Sequence, residues 1–517
     1  MQYLLLITTC ICLIFCSCNT DQSADSKQSA ANLTSILKEG KQLSVKYCGN
    51  CHQYPQPELL DKATWRSYIL PRMGYMMGIY DQEKEKVLSE IYEPNQARQI
   101  VEAANIFPPQ AQINPEDWKK ITTYYLQSAP DSLTNPASKP ITNSLSQFKI
   151  RKPEYTLSPP STTMIHINED QTFFIGDANT KSLLLFDKQL KLKNAANVRE
   201  GAVSLSTTPN QLRVTVMGSF SPTDLPSGFL LNLPKNTQSK PQILIDKLQR
   251  PVHTAFADLN QDGQEDIVIC EFAKWTGGLS WWENQNGTFV RHLLRNKPGA
   301  IKTHIQDFDG DQRPDLMALF GQGDEGIFLY TNQGNGQFSE KRILQFPSSY
   351  GSSYFDVLDF DKDGYLDILY TAGDNADYRP LTKPYHGVYL YLNDGKNNFK
   401  QTFFYALPGA YKVIPQDFDE DGDLDLAAIA FFPDYYQKTA LGFVYLKNQG
   451  KMNFSAETFP EVQDGRWIVM DAGDLDGDKD TDIILGSLAF EVVPKNGLLE
   501  KWVNRGLPFV VLENTRY

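Results

Sequence analysis

Histidine and cysteine are scarce in this 517-residue chain, at 6 and 7 residues, and their placement tells more than their number. Cys10, Cys12, Cys16 and Cys18 crowd the N-terminus, Cys48 and Cys51 follow, and only Cys270 remains, so no disulfide framework is available. No dinucleotide fingerprint, flavin motif or nucleophile triad is visible. A net charge of -13 argues against nucleic acid as a partner. The apolar run at residues 3–18 (YLLLITTCICLIFCSC) is too brief to span a bilayer comfortably and reads as an export signal.

What is present is organised. Cys48-Gly49-Asn50-Cys51-His52 has the C-x-x-C-H spacing of a c-type haem attachment point. Two thiols three positions apart can add to the two vinyl groups of one porphyrin, and the next residue presents an imidazole nitrogen to the iron. A zinc half-site would need further ligands, and no Cys follows until Cys270 and no His until His166. The length exceeds what one core usually organises, and 41% hydrophobic with 12% aromatic residues is the composition of an ordered globular protein.

Phe15-Cys16-Ser17-Cys18 resembles a bacterial lipoprotein box, which implies cleavage before Cys18, lipidation of that residue, and a polar tether over residues 19–32. The expected location is outside the cytoplasm, as a membrane-anchored lipoprotein of the periplasm or the outer-membrane or cell surface. Haem attachment in bacteria also takes place there.

Residues 33–128 read as a small all-α domain, with LTSILKEGKQLSVKY leading into the haem motif and PEDWKKITTYYLQSAP closing it. This arrangement resembles class I cytochromes c. The resemblance implies a methionine as sixth iron ligand, whose thioether raises the potential. Met73, Met76 and Met77 are the choices, and Met73 is favoured because Leu70-Pro71-Arg72-Met73-Gly74 predicts a chain break that presents a side chain. Pro55, Pro57 and Trp65 read as pocket walls, residues 81–107 as an insertion, and residues 129–145 as a linker.

Beyond residue 250 the chain repeats itself. The pattern D-x-[DN]-x-D-x-x-x-D starts at Asp258, Asp307, Asp359, Asp417 and Asp474, in steps of 49, 52, 58 and 57 residues. Each loop precedes an apolar run, and an aromatic strand ending in Asn comes later in each unit. The ligand positions are Asp258, Asn260, Asp262 and Asp266; Asp307, Asp309, Asp311 and Asp315; Asp359, Asp361, Asp363 and Asp367; Asp417, Asp419, Asp421 and Asp425; and Asp474, Asp476, Asp478 and Asp482. Carboxylates about 4 to 5 Å apart repel by roughly 3 to 4 kcal/mol per pair at an effective dielectric near 20, so a hard cation is expected among them, and calcium suits the geometry. An EF-hand is excluded because the twelfth residue is never Glu. These positions hold 19 of the 62 acidic residues, and five calcium ions would bring the charge from -13 to about -3.

The loops resemble the FG-GAP or VCBS-type repeats of β-propellers, as in integrin α chains. The resemblance implies a seven-bladed all-β propeller over residues 146–517, with two weaker units at about 160–250 and a loop remnant at Asp177. Ring closure would pair residues 148–157 with residues 508–514. The connections between second and third strands would open on the face away from the acidic loops and place His253, Lys302, Tyr354, Lys412 and Trp467 at the channel mouth.

Three functions follow as expectations. The first is an exported electron carrier whose propeller docks a redox protein, a quinone-linked donor or another ligand. The second is an oxidoreductase whose mouth oxidises a carbohydrate or alcohol and passes electrons to the haem. The third is an adhesion or glycan-binding module.

Overall fold

The computed structural model describes residues 21–80, 96–134, 140–235, 240–376, 381–436, 441–490, 492–493 and 495–516, with side chains from residue 30 onward. The export signal with Cys18 lies outside the described residues, as do residues 81–95 of the insertion and 135–139 of the linker. Among the described residues no helix is long and apolar enough to cross a membrane.

The N-terminal part is helical. A long helix, Asp21–Cys48, contains no proline and runs through most of the stretch expected as a tether. It crosses the helix Pro115–Ser128 at Gly40, where an added Cβ would meet the Lys120 carbonyl oxygen at 2.4 Å and the Tyr124 Cβ at 2.7 Å. Glycine costs about 1 kcal/mol of helix propensity there, and close backbone packing is the return. Asn114 caps the second helix by accepting from the Glu116 N–H at 2.9 Å, with Pro115 in its first turn. Leu60, Trp65, Leu70, Ile113, Ile121, Tyr124 and Tyr125 fill the core between them.

No chain break occurs at Pro71. A widened turn, Trp65–Ile69, leads directly into the helix Leu70–Met76, so Pro71 falls in a first turn, where its missing N–H is not needed. Met73 therefore projects from a helix rather than from a break.

The rest is a seven-bladed propeller of four-stranded antiparallel sheets. The innermost strands are Thr162–Ile167, Ala202–Thr207, Pro251–Ala257, Ala300–Gln306, Ser352–Leu358, Ala410–Gln416 and Trp467–Gly473, in blades 1 to 7. In blades 3 to 7 the second strand is buried at every position, because both of its faces pack on neighbouring blades. That is why those runs read as continuously apolar rather than alternating.

The ring closes with the expected segments, though the pairing ends at Arg151 and residues 152–157 lie outside the strand. Strand Phe148–Arg151 forms the outer edge of blade 7 against Phe509–Asn514, with Phe148 opposite Asn514 and Arg151 opposite Val511. Blades 1 and 2 carry no acidic loop of the repeat pattern, and Asp177 is not a remnant of one. It ends the second strand of blade 1 and accepts from the N–H groups of Ser161 and Thr180, which makes it a turn cap on the opposite face.

The helical domain sits on the propeller against the connections between second and third strands of blades 3 and 5. The Tyr385 hydroxyl, from the blade 5 connection at residues 373–386, donates to the Leu59 carbonyl at 2.7 Å. Trp275, from the blade 3 connection at residues 272–277, meets Phe107 edge-on at 5.1 Å. Blade 4 lies between them, and its equivalent connection, residues 321–325, is about as short as that of blade 3.

Candidate functional site

Every innermost strand carries a one-residue irregularity after its first residue, seen in the pairing shifts Thr162/Met164, Ala202/Ser204, Pro251/His253, Ala300/Lys302, Ser352/Tyr354, Ala410/Lys412 and Trp467/Val469. The residues just after these bulges make one tier: Met164, Ser204, His253, Lys302, Tyr354, Lys412 and Val469. Two positions on, a second tier holds His166, Ser206, Ala255, His304, Asp356, Ile414 and Asp471. Four of the five expected mouth residues fall on the first tier. Trp467 does not, because it precedes its bulge; it is 0% exposed in the core between blades and donates from Nε1 to the Val462 carbonyl at 2.9 Å.

The two tiers form a connected polar network. The Lys302 ammonium donates to the Tyr354 hydroxyl at 2.7 Å, lies 3.4 Å from Asp356, and sits 4.1 Å from the centre of the Tyr354 ring. His304 Nε2 is 3.1 Å from the same carboxylate. Lys412 approaches the Tyr354 ring from another side at 5.3 Å and donates to the Met470 carbonyl at 2.6 Å. Asp471 accepts from the Ile167 N–H at 2.9 Å, which links blade 7 to blade 1.

Burial governs the protonation of this ring. It pushes His253 down to about 3, with Lys302, His304 and Lys412 adding to the effect, and pushes Lys302 down to about 8 against the pull of Asp356. Burial alone would raise the Asp356 carboxyl, but His304 and Lys302 hold it well below the ordinary range. The ring therefore contains neutral imidazoles beside ammonium and carboxylate groups. Sequence reasoning missed His166, His304, Asp356 and Asp471; their signal was the position two residues beyond the first tier in each repeat.

The mouth itself is partly closed by the chain. Phe220, from the blade 2 connection, packs past blade 1 against Phe431, Phe432, Ile468 and Leu488 of blades 6 and 7. The Arg466 guanidinium lies 3.7 Å from the centre of the Phe431 ring.

On the opposite face lie the acidic loops, each joining the first and second strands of its blade. Oxygen atoms of Asp307, Asp309 and Asp311 lie within 4.8 Å of one another, as do those of Asp417, Asp419 and Asp421. In blades 5 and 7 the converging sets are Asp359, Asp361 and Asp367, and Asp474, Asp476 and Asp482. The blade 3 loop, with Asn260 at its third position, forms no such group of three among the described residues. In blades 3, 5 and 6 the loops turn at Gly263, Gly364 and Gly422, whose φ of 86°, 92° and 97° suits glycine.

The ninth-position aspartates have a second duty that spacing alone did not reveal. Asp367 accepts from the N–H groups of Phe360 and Asn393, both at 2.9 Å. Asp266, Asp315 and Asp482 do the same with the matching pairs Leu259 and Asn284, Phe308 and Asn332, and Leu475 and Asn514. Asp425 binds the Asn448 N–H and the Tyr445 hydroxyl. The recurring Asn at the end of each third strand is thus the residue that its aspartate pins. Burial raises these carboxyls, Asp425 to about 6 and Asp482 to about 7.

At the C-x-x-C-H segment, Cys48 ends the long helix half-buried while Cys51 is exposed. The His52 Nδ1 lies 2.8 Å from the Gln53 carbonyl, so Nδ1 carries a proton and donates it to that oxygen. Tyr47, Tyr54, Leu43 and Ile69 are partly buried around the adjoining core. Met77 packs into that core and Met76 joins Val101, Phe107 and Trp275, whereas Met73 belongs to neither cluster. Burial pushes the Cys48 thiol up to about 11.

A family model described as an FG-GAP-like repeat matches residues 307–370 and 417–485. The chain carries FG-GAP-like repeats in blades 4 to 7. No curated protein matches the sequence. Among solved structures, the N-terminal domain of Nup159 is similar at 12% identity, covering 74% of this chain and 98% of that one, with a TM-score of 0.42. BBS1N in complex with ARL6DN is similar at 10% identity over 72% and 98%, with a TM-score of 0.45. The WD40 domain of SCAP from fission yeast is similar at 11% identity over 67% and 88%, with a TM-score of 0.33.

Proposed function

We propose that this chain is an exported monohaem c-type cytochrome joined to a cation-braced propeller, which docks a partner or ligand that exchanges electrons with the helical domain. The supporting observation is the His52 side chain. Its Nδ1 donates to the Gln53 backbone carbonyl, which leaves Nε2 as the ring nitrogen that would bind iron, in the segment that also carries Cys48 and Cys51. Covalent haem would supply one-electron chemistry, with Cys48 and Cys51 as thioether anchors, His52 as proximal ligand and Met73 as the preferred distal one. The contacts of Tyr385 with Leu59 and of Trp275 with Phe107 hold the helical domain on the propeller face that bears the long connections. Calcium in the acidic loops stiffens the opposite face.

The partner in this reading is a redox protein or a quinone-linked donor, and lipidation at Cys18 would keep the protein at a membrane. The test is a reduced-minus-oxidised spectrum of protein exported in a haem-attaching host. A c-type spectrum in wild type that disappears in a Cys48→Ser, Cys51→Ser variant supports the reading; a propeller matured without covalent haem removes it.

The network of Lys302, Tyr354, Asp356 and His304 favours one second reading, that the channel binds a substrate such as a carbohydrate or alcohol and passes its electrons on. Haem reduction on adding such a substrate, lost in Lys302→Met, would favour it over simple electron carriage.

A further inference from the structure

We propose that Lys302 is a carbonyl-reactive amine, which holds an aldehyde or ketone ligand in the propeller channel as an imine. This deepens the second reading above and rests on it, by naming the chemical class the channel takes; an open-chain sugar is one such compound. Capture of a carbonyl carbon by lysine needs a free-base amine, a path for its proton and room for the ligand. Lys302 of blade 4 and Lys412 of blade 6 approach the Tyr354 ring of blade 5, at 4.1 and 5.3 Å from its centre. Lys412 is anchored there, donating to the Met470 carbonyl at 2.6 Å. Burial disfavours the charge on Lys302, Asp356 opposes that and the Lys412 charge adds to it, and the outcome is about 8 against an ordinary 10.5. At pH 7.5 the free-base fraction is then on the order of a hundredfold above that of an exposed lysine. A desolvated lysine of this kind is a nucleophile.

The proton path is a hydrogen-bonded chain. The Lys302 ammonium donates to the Tyr354 hydroxyl at 2.7 Å, that hydroxyl donates to Asp356 Oδ2 at 3.3 Å, and His304 Nε2 lies 3.1 Å from Asp356 Oδ1. A proton leaving Nζ therefore passes through a phenol and a carboxylate to an imidazole. Burial holds the phenol well above its ordinary range, so Tyr354 relays protons without taking on charge. The step balances with no oxidant: the Nζ lone pair forms the N–C bond, the carbonyl oxygen takes up both amine protons, and it leaves as water.

These side chains line a space rather than fill a core. Lys302, His304 and Asp356 keep 17%, 22% and 26% of their side-chain surface open inside the ring. On the other side of Lys302 stands His253 of blade 3, whose Nδ1 accepts from the Thr303 N–H at 3.4 Å and which burial keeps neutral. The titratable groups around the amine are thus His253, His304, Tyr354, Asp356 and Lys412, and two of them, Asp356 and Lys412, bring charge to bear on it with opposite sign.

The test uses the full chain, incubated with glycolaldehyde, a hydroxyaldehyde small enough to pass the partly closed mouth, and with cyanoborohydride, which reduces an imine to a stable secondary amine read by peptide mass analysis. At pH 7.5 capture at Lys302 is expected at least about tenfold faster than at exposed lysines, with a pH midpoint near 8 rather than near 10.5. Lys302→Arg keeps the charge and cannot form an imine, so it should lose this adduct alone. Tyr354→Phe should slow capture about tenfold by cutting the relay. Binding is followed separately, by calorimetry with glycolaldehyde and no reductant. Binding without preferential capture at Lys302 overturns the proposal and leaves the second reading standing, the ammonium then serving only as counter-charge to Asp356. Neither binding nor capture overturns both. If Lys302→Arg fails to fold, the ratio of capture rates in the wild-type chain still decides.

Discussion

Arg151 and Glu513 face each other across the two strands that close the ring, with Nη1 and Oε2 2.6 Å apart. Arg151 also donates to the Lys188 carbonyl at 2.8 Å, so one side chain ties the closing strand to its partner and to blade 1. Yet both partners keep solvent contact, at 25% and 17% of their side-chain surface. Phe148, at the other end of the same strand, is 5% exposed and packs edge-on against Tyr445 at 5.4 Å and Phe418 at 5.8 Å.

Closure should therefore depend on the ring more than on the charge. Phe148→Ala is expected to cost about 3 to 5 kcal/mol by loss of burial and the cavity left behind. Arg151→Ala should cost about 1 kcal/mol or less, as partly exposed ion pairs do. Urea unfolding of the two variants separates these outcomes; equal losses would contradict the ranking.

The channel histidine gives a pH signature. His253 is held near 3 when folded, against 6.5 for the free side chain. Between those values the unfolded chain binds a proton that the folded chain refuses, so stability rises with pH through this window and is lost as pH falls. One such group contributes a slope of about 1.4 kcal/mol per pH unit. His253→Gln should remove about one proton's worth of slope between roughly pH 4 and 6, measured as unfolding free energy against pH under saturating calcium. A variant with the wild-type slope would place the histidine in solvent.

Much of the propeller was legible because its repeats obey local chemistry: aspartates at fixed spacing, then an apolar second strand, then an aromatic strand ending in Asn. Ring closure was legible because the last blade lacked a strand and residues 148–157 offered one. Trp467 was misplaced because it aligns with Pro251, Ala300, Ser352 and Ala410, two positions before the channel tier, where blade 7 has the apolar Val469 and so gives no polar mark to align on. The second tier was missed although strand alternation places it two residues beyond the first, on the same face. The seat of the helical domain depends on Leu59 meeting Tyr385, far apart in sequence, which cannot be read from local pattern. The chain break expected at Pro71 was absorbed by the wide turn at Trp65–Ile69.

The three methionines should separate by readout. Met77 packs partly buried against the helical core, so Met77→Ala is expected to lower stability by about 1 to 2 kcal/mol. Met73 joins neither apolar cluster, and if it is the distal ligand of the proposed haem, Met73→Ala should lower the midpoint potential with little change in stability, because a thioether favours the reduced iron. Redox titration beside thermal melting makes the comparison. A fall in potential for Met76→Ala alone would move the ligand one turn along the helix.

Asp361 and Asp367 occupy one loop, and only the first should depend on calcium for its contribution. Asp361 is exposed and its oxygens lie in the converging set of blade 5, so its charge is useful when a cation is present and merely repulsive otherwise. Asp367 is 0% exposed, and each of its oxygens accepts a backbone N–H, from Phe360 and from Asn393. An amide in its place would turn a donor toward one of those N–H groups and leave it unsatisfied, at about 1 to 3 kcal/mol. Asp361→Asn is thus expected to melt below wild type with calcium and at or above wild type with chelator. Asp367→Asn should melt lower in both. Thermal melts of the two variants in each condition test this, and a loss for Asp367→Asn that chelator abolishes would mean that the ninth position serves the cation alone.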